Sequence, residues 1–94
     1  MQNMILSDFF VSVIEVFGKD VFMLMFAKNR AKRVVYARSI VAYYLKTKLR
    51  YRHWQIAEYL NQPLSIITSY LTRYHYWYKR NKSFRNLADK VLKE

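Results

Sequence analysis

The sequence predicts an all-α protein, a compact bundle of five to six helices containing a helix-turn-helix and folded as a single domain over residues 1–94. Three observations carry this. One Gly and one Pro in 94 residues leave few positions for tight β-turns. Apolar residues recur at spacings of three and four rather than alternating, which is the period of a helix face and not of a strand. A composition 53% hydrophobic and 18% aromatic supplies a core, while the length accommodates only one domain.

The first helix is expected from about Ser7, a residue type suited to the N-cap, through Phe10, Val13, Ile14 and Phe17. Gly18 can then supply a left-handed C-terminal cap. Asp20 is placed to cap a short second helix that offers Val21, Leu24 and Met25 to the core and ends near Lys28. A third helix, about 34–47, carries Ala37, Ile40, Val41, Tyr44 and Leu45 on one face. The fourth, about 53–60, contributes Ile56, Ala57 and Leu60. Asn61-Gln62-Pro63 breaks the chain, and Pro63 suits the first position of a fifth helix reaching about residue 80. That helix turns Ile67, Tyr70, Leu71, Tyr74 and Tyr78 inward. Ser83 is the expected cap of a sixth, bearing Phe84, Leu87, Ala88, Val91 and Leu92. Tyr51, Trp54, Tyr76 and Trp77 are left as the expected exposed aromatics.

Charge is confined to one part of the chain. Residues 28 to 85 hold 14 of the 17 Lys and Arg, opposed only by Glu58, whereas Lys19 faces Asp8, Glu15 and Asp20 in the first 27 residues. The run Lys28-Asn29-Arg30-Ala31-Lys32-Arg33 sets four cations in six residues, read as a basic loop over 28–33. A net charge of +11 so distributed points to a polyanionic partner.

Other classes find little support. Without Cys there is no disulfide framework or thiolate zinc site, and His53 and His75 are too far apart to form a local ligand pair. No phosphate-binding glycine loop or nucleophile elbow is present, so neither an enzyme nor a cofactor is expected. The longest uninterrupted apolar run, Val21 to Ala27, has seven residues against the roughly 20 a spanning helix needs. With no secretory leader legible either, no membrane association and a cytoplasmic location are expected.

Residues 53–80 carry helix-turn-helix arithmetic: Ala57 is small where a second helix must cross, and Ile56, Leu60, Ile67 and Leu71 fill the angle between the two. Leu64, Ser65, Thr68 and Ser69 then face outward near the start of the second helix. Hydroxyl and small apolar groups there suit base edges in a major groove, where Ser and Thr hydrogen-bond and apolar groups meet thymine methyls.

Taken in order, Phe17-Gly18-Lys19-Asp20-Val21, Lys28-Asn29-Arg30, Ala37-Arg38-Ser39-Ile40-Val41-Ala42-Tyr43-Tyr44-Leu45 and Gln55-Ile56-Ala57 to Leu71 resemble the C-terminal DNA-binding domain of the bacterial replication initiator DnaA, over most of the chain. The resemblance implies a Trp-repressor-like helix-turn-helix that binds double-stranded DNA in replication or transcription control. It places Arg30 in the minor groove, Arg38 on DNA from the next helix, Lys46 on a phosphate, and His53 and Trp54 at a helix start whose backbone amides meet a phosphate. At the family's Asp-His-Thr-Thr signature this chain has Pro63-Leu64-Ser65-Ile66, a departure at the base-reading positions. Lys28, Lys32 and Arg33 are expected to anchor the loop beside Arg30. Lys48, Arg50, Arg52 and Arg73, with Lys46, are expected on phosphates. Two other classes stay open: a protein-interaction adaptor with weak nucleic-acid affinity, and an RNA-binding protein. Monomer and homodimer are both compatible with the sequence.

Overall fold

The computed structural model describes residues 6–93 and contains six helices there: α1 (Leu6–Phe17), α2 (Lys19–Leu24), α3 (Lys32–Thr47), α4 (His53–Leu60), α5 (Leu64–Arg80) and α6 (Lys82–Leu92). No strand occurs among the described residues. The protein is an all-α bundle, as the helical periodicity predicts.

α3 organises it. This helix packs against all five others, and ten of its sixteen residues are buried. A helix apolar on nearly every side has to be enclosed. Around it, Phe9 and Val13 of α1, Ile56 and Leu60 of α4, Ile67 of α5, and Phe84 and Val91 of α6 lose all contact with solvent. Aromatic stacking fixes two of these seams, Phe9 on Tyr44 and Tyr43 on Tyr74. Tyr70 and Tyr74 are core residues, as their spacing predicts, and half-buried Tyr78 donates from its hydroxyl to Asp89 at 2.7 Å.

Helix ends depart from expectation in informative ways. Ser7 is helical, inside α1 rather than capping it. Gly18 has the positive φ its position predicts, but at φ 96° and ψ 156° it is extended rather than left-handed helical. Its N–H closes α1 on Ile14 O at 2.8 Å, and its C=O opens α2 by accepting from Phe22 at 3.1 Å. Asp20 therefore lies within the first turn of α2, where its carboxylate faces the positive end of the helix dipole, and caps nothing. The cap of α6 is Asn81 and not Ser83, because α5 runs to Arg80 and leaves Asn81 as the single connecting residue. Asn81 Oδ1 accepts from Phe84 N–H at 2.9 Å, and its Nδ2 donates to the Tyr36 hydroxyl at 2.9 Å.

Three side-chain expectations also change. Leu24 is exposed, since a six-residue helix at the edge of the bundle cannot bury its whole apolar face. Trp77 is half-buried with its ring against Tyr36 and Phe84, and Tyr51 is half-buried beside Tyr59. Trp54 and Tyr76 are exposed as expected.

Candidate nucleic-acid interface

The candidate site is built on the end of α2. A helix that stops leaves carbonyls without intrahelical donors, and here side chains from two distant segments meet them. Arg38 donates from Nε to Met25 O at 2.9 Å and from Nη2 to Leu24 O at 3.2 Å and Ala27 O at 2.5 Å. Asn61 Nδ2 reaches Phe26 O at 3.1 Å, and Gln62 Nε2 reaches Ala27 O at 2.8 Å and Met25 O at 3.3 Å. The turn between α4 and α5 is thereby tied to the segment that begins the basic loop.

Local chemistry at Asn61 makes this possible. It sits at φ 55° and ψ 45°, a left-handed conformation that Asn tolerates better than most residues. Asn61 N–H bonds to Glu58 O at 3.2 Å and Gln62 N–H to Ala57 O at 3.0 Å, the paired bonds of a Schellman C-cap. Pro63 follows as the N-cap of α5, one position earlier than predicted. α4 begins with Arg52 N–H donating to Gln55 Oε1 at 2.8 Å.

Arg38 corrects a site expectation. It is 1% exposed, in the middle of α3, and its fourth bond runs from Nη1 to the Tyr70 hydroxyl at 3.3 Å. It does not present a cation to a partner surface. The family-derived contact fails because the residue is buried facing the end of α2 and directs four of its five N–H groups into the fold.

The basic tract is also divided. The loop proper is residues 28–31, stiffened by Asn29 Oδ1 accepting from Ala31 N–H at 2.8 Å, whereas Lys32 and Arg33 form the first turn of α3. Lys32 Nζ lies 5.7 Å over the Tyr36 ring, and the Arg33 guanidinium lies 5.2 Å over Phe17 while reaching Val16 O at 3.5 Å. Lys28, Arg30 and Arg73 are different. Together they line one groove, of about 490 Å³, whose other walls are Val35, Ile66 and Pro63 and whose floor includes Arg38 and Tyr70. No hydrogen bond, ion pair or ring contact engages these three cations among the described residues.

The outer face of α5 continues from this groove. Leu64 is 54% exposed and Ser65 and Thr68 are exposed, as expected of the outward set, whereas Ser69 is half-buried. Ile66 is half-buried against the core and contributes a groove wall rather than a free surface. Thr68 Oγ1 lies 3.5 Å from Nδ1 of half-buried His53, linking the starts of α4 and α5. Further along, the Arg80 guanidinium stacks 4.4 Å over exposed Tyr76. Lys46 is exposed in the last turn of α3, and Arg50 takes φ 60° in the loop leading to exposed Trp54.

Sequence reasoning missed Asn61, Gln62 and Val35 as parts of this site. The Asn-Gln-Pro break reads as punctuation, and nothing in the linear pattern shows what its amides hold.

No protein-family model, curated protein or solved structure matches the chain. Among the described residues no group of three His, Cys, Asp or Glu is arranged to hold a metal ion, and no helix is long and apolar enough to cross a membrane.

Proposed function

We propose that this protein binds double-stranded DNA in the cytoplasm, in replication or transcription control, as its resemblance to the DNA-binding domain of the replication initiator DnaA implies. The start of α5 enters a major groove, and the 28–31 loop follows the adjacent minor groove with Arg30 leading. The observation that carries this reading is the bracing of the residues that lead into that loop on the α4–α5 turn, with Lys28, Arg30 and Arg73 unpaired beside the exposed start of α5. A rigid mount lowers the ordering cost of binding, and unpaired cations lose no internal partner when they reach phosphates. Lys32 and Arg33, exposed in the first turn of α3 and each set over an aromatic ring, extend the positive surface beside the loop. Leu64, Ser65 and Thr68 are the base-facing groups, and Lys46 belongs to the phosphate contacts.

Selection of bound sites from a random duplex library, followed by salt titration of the winner, tests this. Neutralising about six phosphates gives a log–log slope of about −5, and Arg30→Ala should reduce it by about 1 without lowering the melting temperature. A flat salt response overturns the reading. The half-exposed rings of Trp54 and Tyr76, the latter stacked by Arg80, favour RNA as the second reading. Preferential competition by structured RNA over duplex DNA would establish it instead.

A further inference from the structure

We propose that the groove beneath the basic loop is a binding site for a mononucleotide-class ligand, a phosphate monoester carried on a flat body that has N–H donors. The charge of the lining is the first argument. Lys28, Arg30, Arg38 and Arg73 line it and no Asp or Glu does.

The floor supplies the second. Tyr70 is 2% exposed, and its hydroxyl accepts from Arg38 Nη1 in the only hydrogen bond it makes among the described residues. Its own O–H hydrogen is therefore uncommitted. Arg38 has five N–H groups and directs four toward Met25, Leu24, Ala27 and Tyr70, so one Nη1–H is uncommitted as well. Each of these two atoms already has one partner and keeps one hydrogen to give, in a groove that three unpaired cations also line. A buried donor gains most from an anionic acceptor, and a phosphate oxygen can take both.

The walls extend the ligand beyond a bare phosphate. Val35, Ile66 and Pro63 give the groove apolar sides, and about 490 Å³ falls within the roughly 300–1,000 Å³ of small-molecule sites. Asn61 and Gln62, both in the lining, spend their amide nitrogens on the carbonyls of residues 25–27, which leaves Asn61 Oδ1 and Gln62 Oε1 as acceptors. Gln62 and Arg38 share the carbonyls of Met25 and Ala27, so acceptors and donors lie side by side in a groove with apolar walls, a combination that matches a nucleobase joined to a phosphate. The site does not depend on the duplex reading. Competition between ligand and duplex for Lys28, Arg30 and Arg73 does rest on that reading.

Titration of the isotope-labelled protein with adenosine and guanosine monophosphate, adenosine, and inorganic phosphate, at constant ionic strength and without nucleic acid, tests the site by protein-detected magnetic resonance. Saturable shifts of amides in 28–31 and 61–66 are expected with the monophosphates, with adenosine and inorganic phosphate each weaker by roughly tenfold or more. Tyr70→Phe, which deletes one hydroxyl, and Arg73→Ala, on the exposed rim, should each weaken the monophosphate by roughly tenfold. Arg73→Ala serves as the check if Tyr70→Phe alters the fold. Adenosine binding as tightly as the monophosphates overturns the phosphate assignment, and inorganic phosphate doing so overturns the nucleotide assignment. The absence of saturation at millimolar ligand, or unchanged affinity in Arg73→Ala, overturns the site. None of these outcomes bears on duplex binding, which the salt titration tests separately.

Discussion

Arg38→Met separates a structural arginine from a DNA-contacting one. Methionine keeps much of the buried stem volume but removes all five donors. Hydrogen bonds from a charged donor are worth about 1.5–3 kcal/mol each, and Arg38 makes four. Simple addition overstates the loss for two reasons. Leu24 O also accepts from Ala27 N–H at 3.1 Å, and Met25 O and Ala27 O also accept from Gln62 Nε2, so no carbonyl is orphaned. Removing a buried charge that has no acidic partner also returns several kcal/mol of desolvation. The expected net loss is about 2–4 kcal/mol, or a melting temperature lower by roughly 10–30 °C for a domain of this size. Thermal and urea melts by circular dichroism measure it, alongside duplex affinity taken well below the transition, which should hold. A variant with native stability and weakened duplex affinity would refute the assignment of Arg38 to the fold.

Asn61→Ala loses the bond to Phe26 O and strains a left-handed residue, costing about 2 kcal/mol in urea unfolding, whereas Asn61→Gly should cost about half as much. Gly18→Ala should cost about 1–3 kcal/mol from backbone strain alone, because a Cβ there meets nothing within 4 Å but φ 96° with ψ 156° is open essentially only to glycine; an unchanged urea midpoint would contradict this. At alkaline pH, burial raises the phenols of Tyr44 and Tyr59 above their ordinary 10.0, with the neighbouring Tyr51 adding to the rise at Tyr59. The fold prefers both phenols neutral, so their contribution is intact below pH 10.0 and is lost as pH rises through the raised values. A urea midpoint that falls in that window, with Tyr44→Phe flattening the fall, is the expected result.

Most helices could be read from the chain because their signals are local. The three- and four-residue spacing of Ala37, Ile40, Val41, Tyr44 and Leu45 reports α3 whatever packs against it, and Asn61-Gln62-Pro63 breaks a helix through its own backbone preferences. Caps were less legible. Ser7, Asp20 and Ser83 have the right chemistry, yet which of several nearby polar residues becomes the cap depends on where the chain must turn, and that is set by packing. Arg38 left one trace in the sequence, since a helix with buried residues on nearly every side must bury an arginine in its middle.

By itself, the sequence determined an all-α chain, its helical segments and a basic region isolated from acids. Only the tertiary structure decided which cations are free. Charge can be counted along a chain, but availability depends on what each guanidinium or ammonium meets across the fold. Arg38 meets the carbonyls ending α2 with most of its donors, Lys32 and Arg33 meet aromatic rings, and Lys28, Arg30 and Arg73 meet no partner among the described residues. The amides of Asn61 and Gln62, more than 30 residues away in sequence, tie the residues just before the basic tract to the turn that opens α5.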